Sequence, residues 1–218
     1  MSDETRPLLN TGRFSQNQVA GQVFQSASGT GAMRVADVEP DGFELTRAGT
    51  RFYCAQSAAL TGIAPVQAMP TTAAQWVIWN PSTTKSLVFD KIGLLLISGT
   101  AGAGIVVVAA HVTLPANTTN KSGITIASAS ASSIASVALV NSGVTVTSPT
   151  APAWFEVATS GSANTSVHSV SAFNTDVRGR VIVPPLKGLG ICALSPAGTS
   201  PLFAPIGCSW SEIATDLE

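Results

Sequence analysis

Charge is what this sequence has least of. Asp, Glu, Lys and Arg make up 11% of its 218 residues, less than half the share of about 25% usual in soluble proteins. The net charge is −1 and no basic stripe is present, which excludes a surface that binds nucleic acid by counterion release. Hydrophobic residues make up 45% of the chain, which excludes a disordered one. Cysteine is also scarce: Cys54, Cys192 and Cys208 are an odd number with no CxxC spacing. That excludes a disulfide framework and a zinc ribbon. The start, Met1–Arg6, has no apolar h-region and does not read as a secretory signal. Asn117, Asn120 and Asn164 then match the glycosylation sequon by chance. The thiols are expected to be buried and reduced in a chain made in the cytosol. Cys192 with Cys208 is the one bridge considered, between neighbouring strands.

Signatures of catalysis are missing too. There is no HExxH, no Asp-rich loop and no GxSxG elbow, since Gly207-Cys-Ser-Trp-Ser211 lacks the second Gly. Gly99–Gly104 is not followed by Lys-Ser/Thr and does not resemble a phosphate loop. The two histidines, His111 and His168, each lie in an apolar or Ser-rich strand pattern. Pairing either with Asp90 or Asp176 and a serine is a chance arrangement in so Ser-rich a chain. The carboxylates Asp90, Glu156, Asp176 and Glu212 are scattered, and nothing favours a glycosidase pair. Trp76/Trp79 and Trp154/Phe155 are read as packing residues and not a sugar platform, because each pair sits within a strand pattern. The reading is therefore a non-enzyme with no catalytic residue, no cofactor and no metal.

What is present is a long apolar centre, Ser86–Thr113. Ile92–Val112 has the length to span a bilayer. Against a span, six small residues, Gly99-Thr-Ala-Gly-Ala-Gly104, fall at its midpoint, and Ile105-Val-Val-Val108 is a strong strand signal. The stretch reads as the core hairpin of a β-fold. Leu87, Phe89, Gly93, Leu95 and Ile97 are expected on one face, with Val88, Ile92, Leu94 and Leu96 on the other. Both faces are apolar, whereas a strand with one wet face alternates. The second face must be covered by another sheet, a loop or a neighbouring subunit.

Charge is also uneven along the chain: residues 1–51 hold 11 charged side chains and residues 52–218 hold 12. Residues 1–35 read as an extended N-terminal arm, polar with isolated apolar residues such as Phe14, Val19, Val23 and Phe24, and with a flexible linker at Ser26–Gly31. Residues 36–218 read as the folded domain. Asp41-Gly42 predicts a hairpin turn leading into a strand at Phe43–Arg47. Further strands are expected at Gln75–Asn80, Ile134–Val140, Val144–Thr147 (with a turn at Asn141–Gly143), Trp154–Thr159, Val167–Phe173, Val177–Val183, Gly188–Leu194 and Gly207–Ile213. That spacing is typical of a sandwich or barrel. Val177–Val183 alternates, which puts Arg178 and Arg180 on a wet or partner-facing side. The fold class is all-β: an antiparallel, jelly-roll-like β-sandwich with an N-terminal arm.

The arm, the charge-poor Ala/Ser/Thr/Gly-rich domain and the closing segments Val183–Leu194 and Gly207–Ile213 together resemble virion structural proteins of tailed bacteriophages. The resemblance implies a capsid-decoration protein or a head or tail appendage, built as a homotrimer. The partners expected are copies of itself and other virion proteins, with no nucleic acid and no membrane. Phe14, Val23, Phe24, Arg178 and Arg180 are the candidate assembly and anchor residues. The alternative is a receptor- or glycan-binding tail or fibre protein that recognises a host surface glycan through loops such as Ala116–Ser122.

Overall fold

A computed structural model describes residues 24–27, 33–36, 42–56, 61–71, 73–99, 104–113, 124–145, 153–160, 172–195 and 201–215. The chain divides into two compact units, Met1–Phe43 and Glu44–Glu218. In the first unit β1 (Phe24–Ala27) and β2 (Met33–Ala36) pair antiparallel, Phe24 opposite Ala36 and Ala27 opposite Met33. Ser26 and Ala27 are thus ladder residues, which corrects the linker reading there. Phe14 and Val23 lie outside the described residues.

Phe43–Arg47 forms a short helix, α1, where alternation predicts a strand. Local chemistry decides it. Arg47 reaches Glu44 one turn back at 2.6 Å, and Gly49, at φ +72°, ends the helix. Its N–H bonds Thr46 O while the Thr50 N–H bonds Leu45 O, a closure that uses the left-handed conformation open to glycine.

The second unit is a sandwich of two antiparallel sheets. Its strands are β3 (Arg51–Gln56), β4 (Ala73–Trp79), β5 (Lys85–Ser98), β6 (Ile105–Val112), β7 (Ile124–Ser128), β8 (Leu139–Thr145), β9 (Phe155–Ser160), β10 (Ala172–Val183), β11 (Gly188–Leu194), β12 (Leu202–Ala204) and β13 (Ser209–Ala214). Sheet I has the order β10-β5-β13-β3-β7, with β12 also paired to β5; sheet II has the order β8-β4-β11-β6-β9. These orders establish the expected sandwich, and jelly-roll wiring is a finer statement than they carry. The turn expected at Asn141–Gly143 lies inside β8, and Asn174, expected between strands, lies inside β10. In both places ladder pairing with a neighbour overrides a local turn signal.

The apolar centre is not a hairpin. Its two arms, β5 and β6, lie in different sheets: β5 pairs with β10, β12 and β13, and β6 with β9 and β11. Nor do its faces follow simple alternation. Lys91 stands opposite Ser209 while Phe89 stands opposite Trp210, leaving Asp90 as an extra residue. A bulge of this kind flips the side-chain parity beyond it. Leu87 and Phe89 before the bulge therefore share the core with Ile92 and Leu94 after it. On the β10 side the same point faces a larger excursion, Val177–Arg180, with Arg178 at φ +47° and Gly179 at φ +77°.

The inner core between the sheets holds Phe52, Trp76, Phe89, Phe203 and Trp210, all essentially inaccessible. Phe89 and Trp210 are cross-strand partners with ring centroids 5.8 Å apart. Sheet II also has a dry outer face. In β6, Ile105, Val107 and Ala109 join the inner core while Val106, Val108 and Val112 join a second cluster with Ala74, Val77, Trp79 and Cys192. Trp154 packs against this cluster, its indole N–H donating to Pro70 O at 2.8 Å. The outer face of β6 is therefore buried within the chain itself, whereas on β5 Val88, Leu95, Leu96 and Ile97 are only partly buried.

Gly93 marks the tightest approach of β10 to β5. A Cβ there would lie 2.3 Å from Asn174 Cβ and 2.4 Å from Phe173 O. Gly93→Ala should destabilise the fold by about 1–3 kcal/mol, read from urea unfolding. An unchanged midpoint would contradict that packing.

Candidate functional site

The buried polar groups are the first place to look for chemistry, because burying them unpartnered is costly. Glu212, on β13, has a fully inaccessible side chain. Its Oε1 accepts the Ser136 hydroxyl at 2.6 Å and the Val137 N–H at 2.8 Å, and its Oε2 lies 3.3 Å from the half-exposed Lys85 ammonium. The carboxylate thus ties the segment before β8 to the centre of sheet I. Gln75 works similarly in sheet II: its Oε1 accepts the Ala193 N–H at 2.6 Å and its Nε2 donates to Ala64 O at 2.5 Å. Asn80, at the end of β4, donates to Lys85 O at 2.8 Å and accepts the Ser82 N–H at 3.1 Å. All three are saturated by structural partners and are poor candidates for proton transfer.

These three residues are what sequence reasoning missed. Asn80 before Pro81 carried a signal, since Asn bonding the N–H two residues on is a known turn device. Gln75 and Glu212 carried none, because their partners come from distant segments.

Sheet I carries its described charges mostly as pairs. Arg51 Nε lies 3.0 Å from Asp90 Oδ2, and Lys91 Nζ lies 3.5 Å from Asp176 Oδ1. Arg178 and Arg180 are exposed at the β10 excursion, as expected of a wet surface, and Arg180 Nε donates to Val177 O at 3.2 Å. Asp90 and Asp176 are therefore engaged by cations and not by a histidine. His111 lies in sheet II beside a cleft of about 420 Å³ lined by His111, Val112, Thr113, Ile182, Pro184 and Lys187. Lys187 Nζ donates to Thr113 Oγ1 across it at 3.3 Å. Among the described residues no carboxylate lines this cleft, so none of them orients His111 as the acid of a triad does. His168 lies outside the described residues.

The remaining candidates resolve as packing. Trp76 is in the inner core and Trp79 in the outer cluster of sheet II, so the pair forms no platform. Trp154 and Phe155 likewise pack on opposite clusters. The three cysteines are free and buried; Cys192 belongs to the outer cluster and Cys208 to the inner core, so the bridge considered between them is not formed. Among the described residues no group of His, Cys, Asp and Glu converges on a metal position, and no helix is long and apolar enough to cross a membrane.

No family model, no curated protein and no solved structure matches this chain.

Two outcomes follow from this geometry. Glu212→Ala strips the Ser136 hydroxyl and the Val137 N–H of their acceptor and should cost about 2–4 kcal/mol, measured by chemical denaturation; a loss below about 0.5 kcal/mol would place the carboxylate outside the framework. Partial burial lowers the His111 pKa from 6.5, so the folded state binds this proton less readily than the unfolded chain. The stability held above about pH 6.5 is then lost as pH falls toward and through the folded value. His111→Gln should flatten the drop in melting temperature between about pH 7 and pH 5. A variant as acid-sensitive as the parent would remove His111 as a cause.

Proposed function

We propose that this chain is a non-enzymatic structural subunit of a virion, a capsid-decoration protein or a head or tail appendage. It assembles as a symmetric oligomer, a homotrimer, and attaches through its N-terminal unit. The observation that carries the reading is the division of labour between the units. Met1–Phe43 is a compact unit apart from the sandwich, and it holds 8 charged residues in 43 against 15 in the other 175. A compact unit rich in charge beside a charge-poor sandwich in the same chain suits a division between attachment and framework. The saturation of Glu212, Gln75 and Asn80 by framework partners supports a structural role. Because the apolar outer face of sheet II is closed within the chain, assembly rests on the N-terminal unit and on exposed residues such as Arg178 and Arg180.

One observation favours a second reading, a receptor- or glycan-binding tail or fibre protein. Among the described residues the cleft is lined by Lys187, Thr113 and His111 with apolar walls of Val112, Ile182 and Pro184, a lining of the kind small ligands use. Ala116–Ser122, the loop first considered for this role, lies outside the described residues.

Light scattering of the purified protein should show a trimer. Removing residues 1–43 should leave the sandwich folded, with its thermal transition intact, and abolish incorporation into particles. A stable monomer that joins no capsid or tail component sinks the structural reading. Saturable binding to host polysaccharide, lost in Lys187→Ala, would establish the second one.

A further inference from the structure

Three features of the sandwich lie outside the proposed role. The cleft beside His111 is open and already belongs to the second reading. The buried indole N–H groups of Trp76 and Trp210 have no hydrogen-bond partner, but nothing beside them selects a ligand. The third is a pair of thiols.

Cys54 and Cys208 lie side by side across sheet I. The register of β13 on β3, Trp210 opposite Phe52 and Ser209 opposite Tyr53, continues to Cys208 opposite Cys54, where the Cys54 N–H donates to Cys208 O at 3.0 Å. Opposed residues in such a pair stand about 5.5 Å apart at Cα, inside the range of about 4.4–6.8 Å that a disulfide spans. Both side chains face the inner core, where each is 1% exposed. We propose that Cys54 and Cys208 are a latent disulfide site, which oxidation closes into a covalent clasp between the first and last strands of the sandwich.

The two sulfurs are differently prepared. Burial raises both thiols, Cys208 to about 12. Cys208 alone has an opposing contact, accepting the Gly93 N–H at Sγ at 3.4 Å, while its own S–H donates to Gly93 O at 3.1 Å. That N–H favours the thiolate, which makes Cys208 the sulfur oxidised first. Burial calls for a small oxidant, and a peroxide meets that need. The Cys208 thiolate attacks one peroxide oxygen, the O–O bond breaks, and hydroxide leaves as water, giving a sulfenic acid. The Cys54 sulfur then attacks the Cys208 sulfur, the S–O bond breaks, and a second water departs with the thiol proton. Two thiols are oxidised and one peroxide is reduced to two waters.

Closure requires Cys208 to turn away from Gly93, and it requires a transient opening of the core, so it is slow. A chain made in a reducing compartment keeps both thiols, and one released from it acquires the clasp. Cys192 is a built-in control. It sits on the outer face of sheet II, with its Sγ at 3.4 Å from the Gln75 N–H, on a different sheet from the pair.

The test is to treat the folded full-length protein with hydrogen peroxide, block remaining thiols under denaturing conditions and map peptides by mass spectrometry. The expected product is 2 Da lighter, links the Cys54 and Cys208 peptides, leaves Cys192 free, and melts roughly 5–15 °C higher until a reductant reverses the rise. The link should persist in Cys192→Ser and vanish in Cys54→Ser. Three blocked thiols after prolonged treatment, a link through Cys192, or over-oxidation of Cys54 and Cys208 without a link would each overturn the proposal.

Discussion

Sheet II is dry on both sides through β11 and most of β4 and β6, and much of the architecture serves to keep it so. Its inner face packs against sheet I, and its outer face carries Ala74, Val77, Trp79, Val108, Val112 and Cys192, all buried. At about 25 cal/mol per Å² of apolar surface removed from water, the closed outer face adds to the stabilisation that both sheets draw from the inner core. Closing the outer face needs a large flat group held in place, which is the role of Trp154, hydrogen-bonded to Pro70 O. It also needs a shallow seat. Gly190 provides one, since a Cβ there would lie 3.0 Å from Val112 and 3.4 Å from the Trp154 ring.

Such a sheet leaves polar groups nowhere to hide, and the chain solves this with a few saturated side chains. Gln75 uses its amide as a surrogate peptide between β11 and the segment 61–66. Asn80 gathers the carbonyls at the end of the sandwich, reaching Lys85, Val183 and Pro184. Glu212 clamps the segment before β8 to sheet I. Sheet I is the contrast, because its paired charges Arg51–Asp90 and Lys91–Asp176 keep solvent contact. One layer is built for dryness and the other for a wet surface.

Element type was readable for three strands: β6, β11 and β13 fall close to where Ile105–Val112, Gly188–Leu194 and Gly207–Ile213 predict them, while the strand expected at Ile134–Val140 begins only at Leu139. It was unreadable where a short local signal competed with a distant ladder. Asn141-Ser-Gly143 has turn chemistry but is held straight by β4. Phe43–Arg47 alternates like a strand but is helical because a pair three residues apart and a glycine stop are both local. Of the candidate site residues, Arg178 and Arg180 were legible as exposed, while Glu212, Gln75 and the Cys54–Cys208 pairing were not. Gln75 depends on Ala193 and Cys54 on Cys208, each more than 100 residues away, and Glu212 on residues 136 and 137, about 75 residues away.

By itself the sequence determined an all-β chain of low charge, with a core hydrophobic on both sides of its central strands and no catalytic motif. Those properties follow from residue type and periodicity, which act over a few residues. Only the tertiary structure decided that β5 and β6 lie in opposite sheets, that one extra residue at Asp90 brings Leu87, Phe89, Ile92 and Leu94 to the same face, and that Cys208 neighbours Cys54 and not Cys192. Pairing, register and bulges are set by which distant strand supplies the hydrogen bonds, and no local pattern encodes that choice.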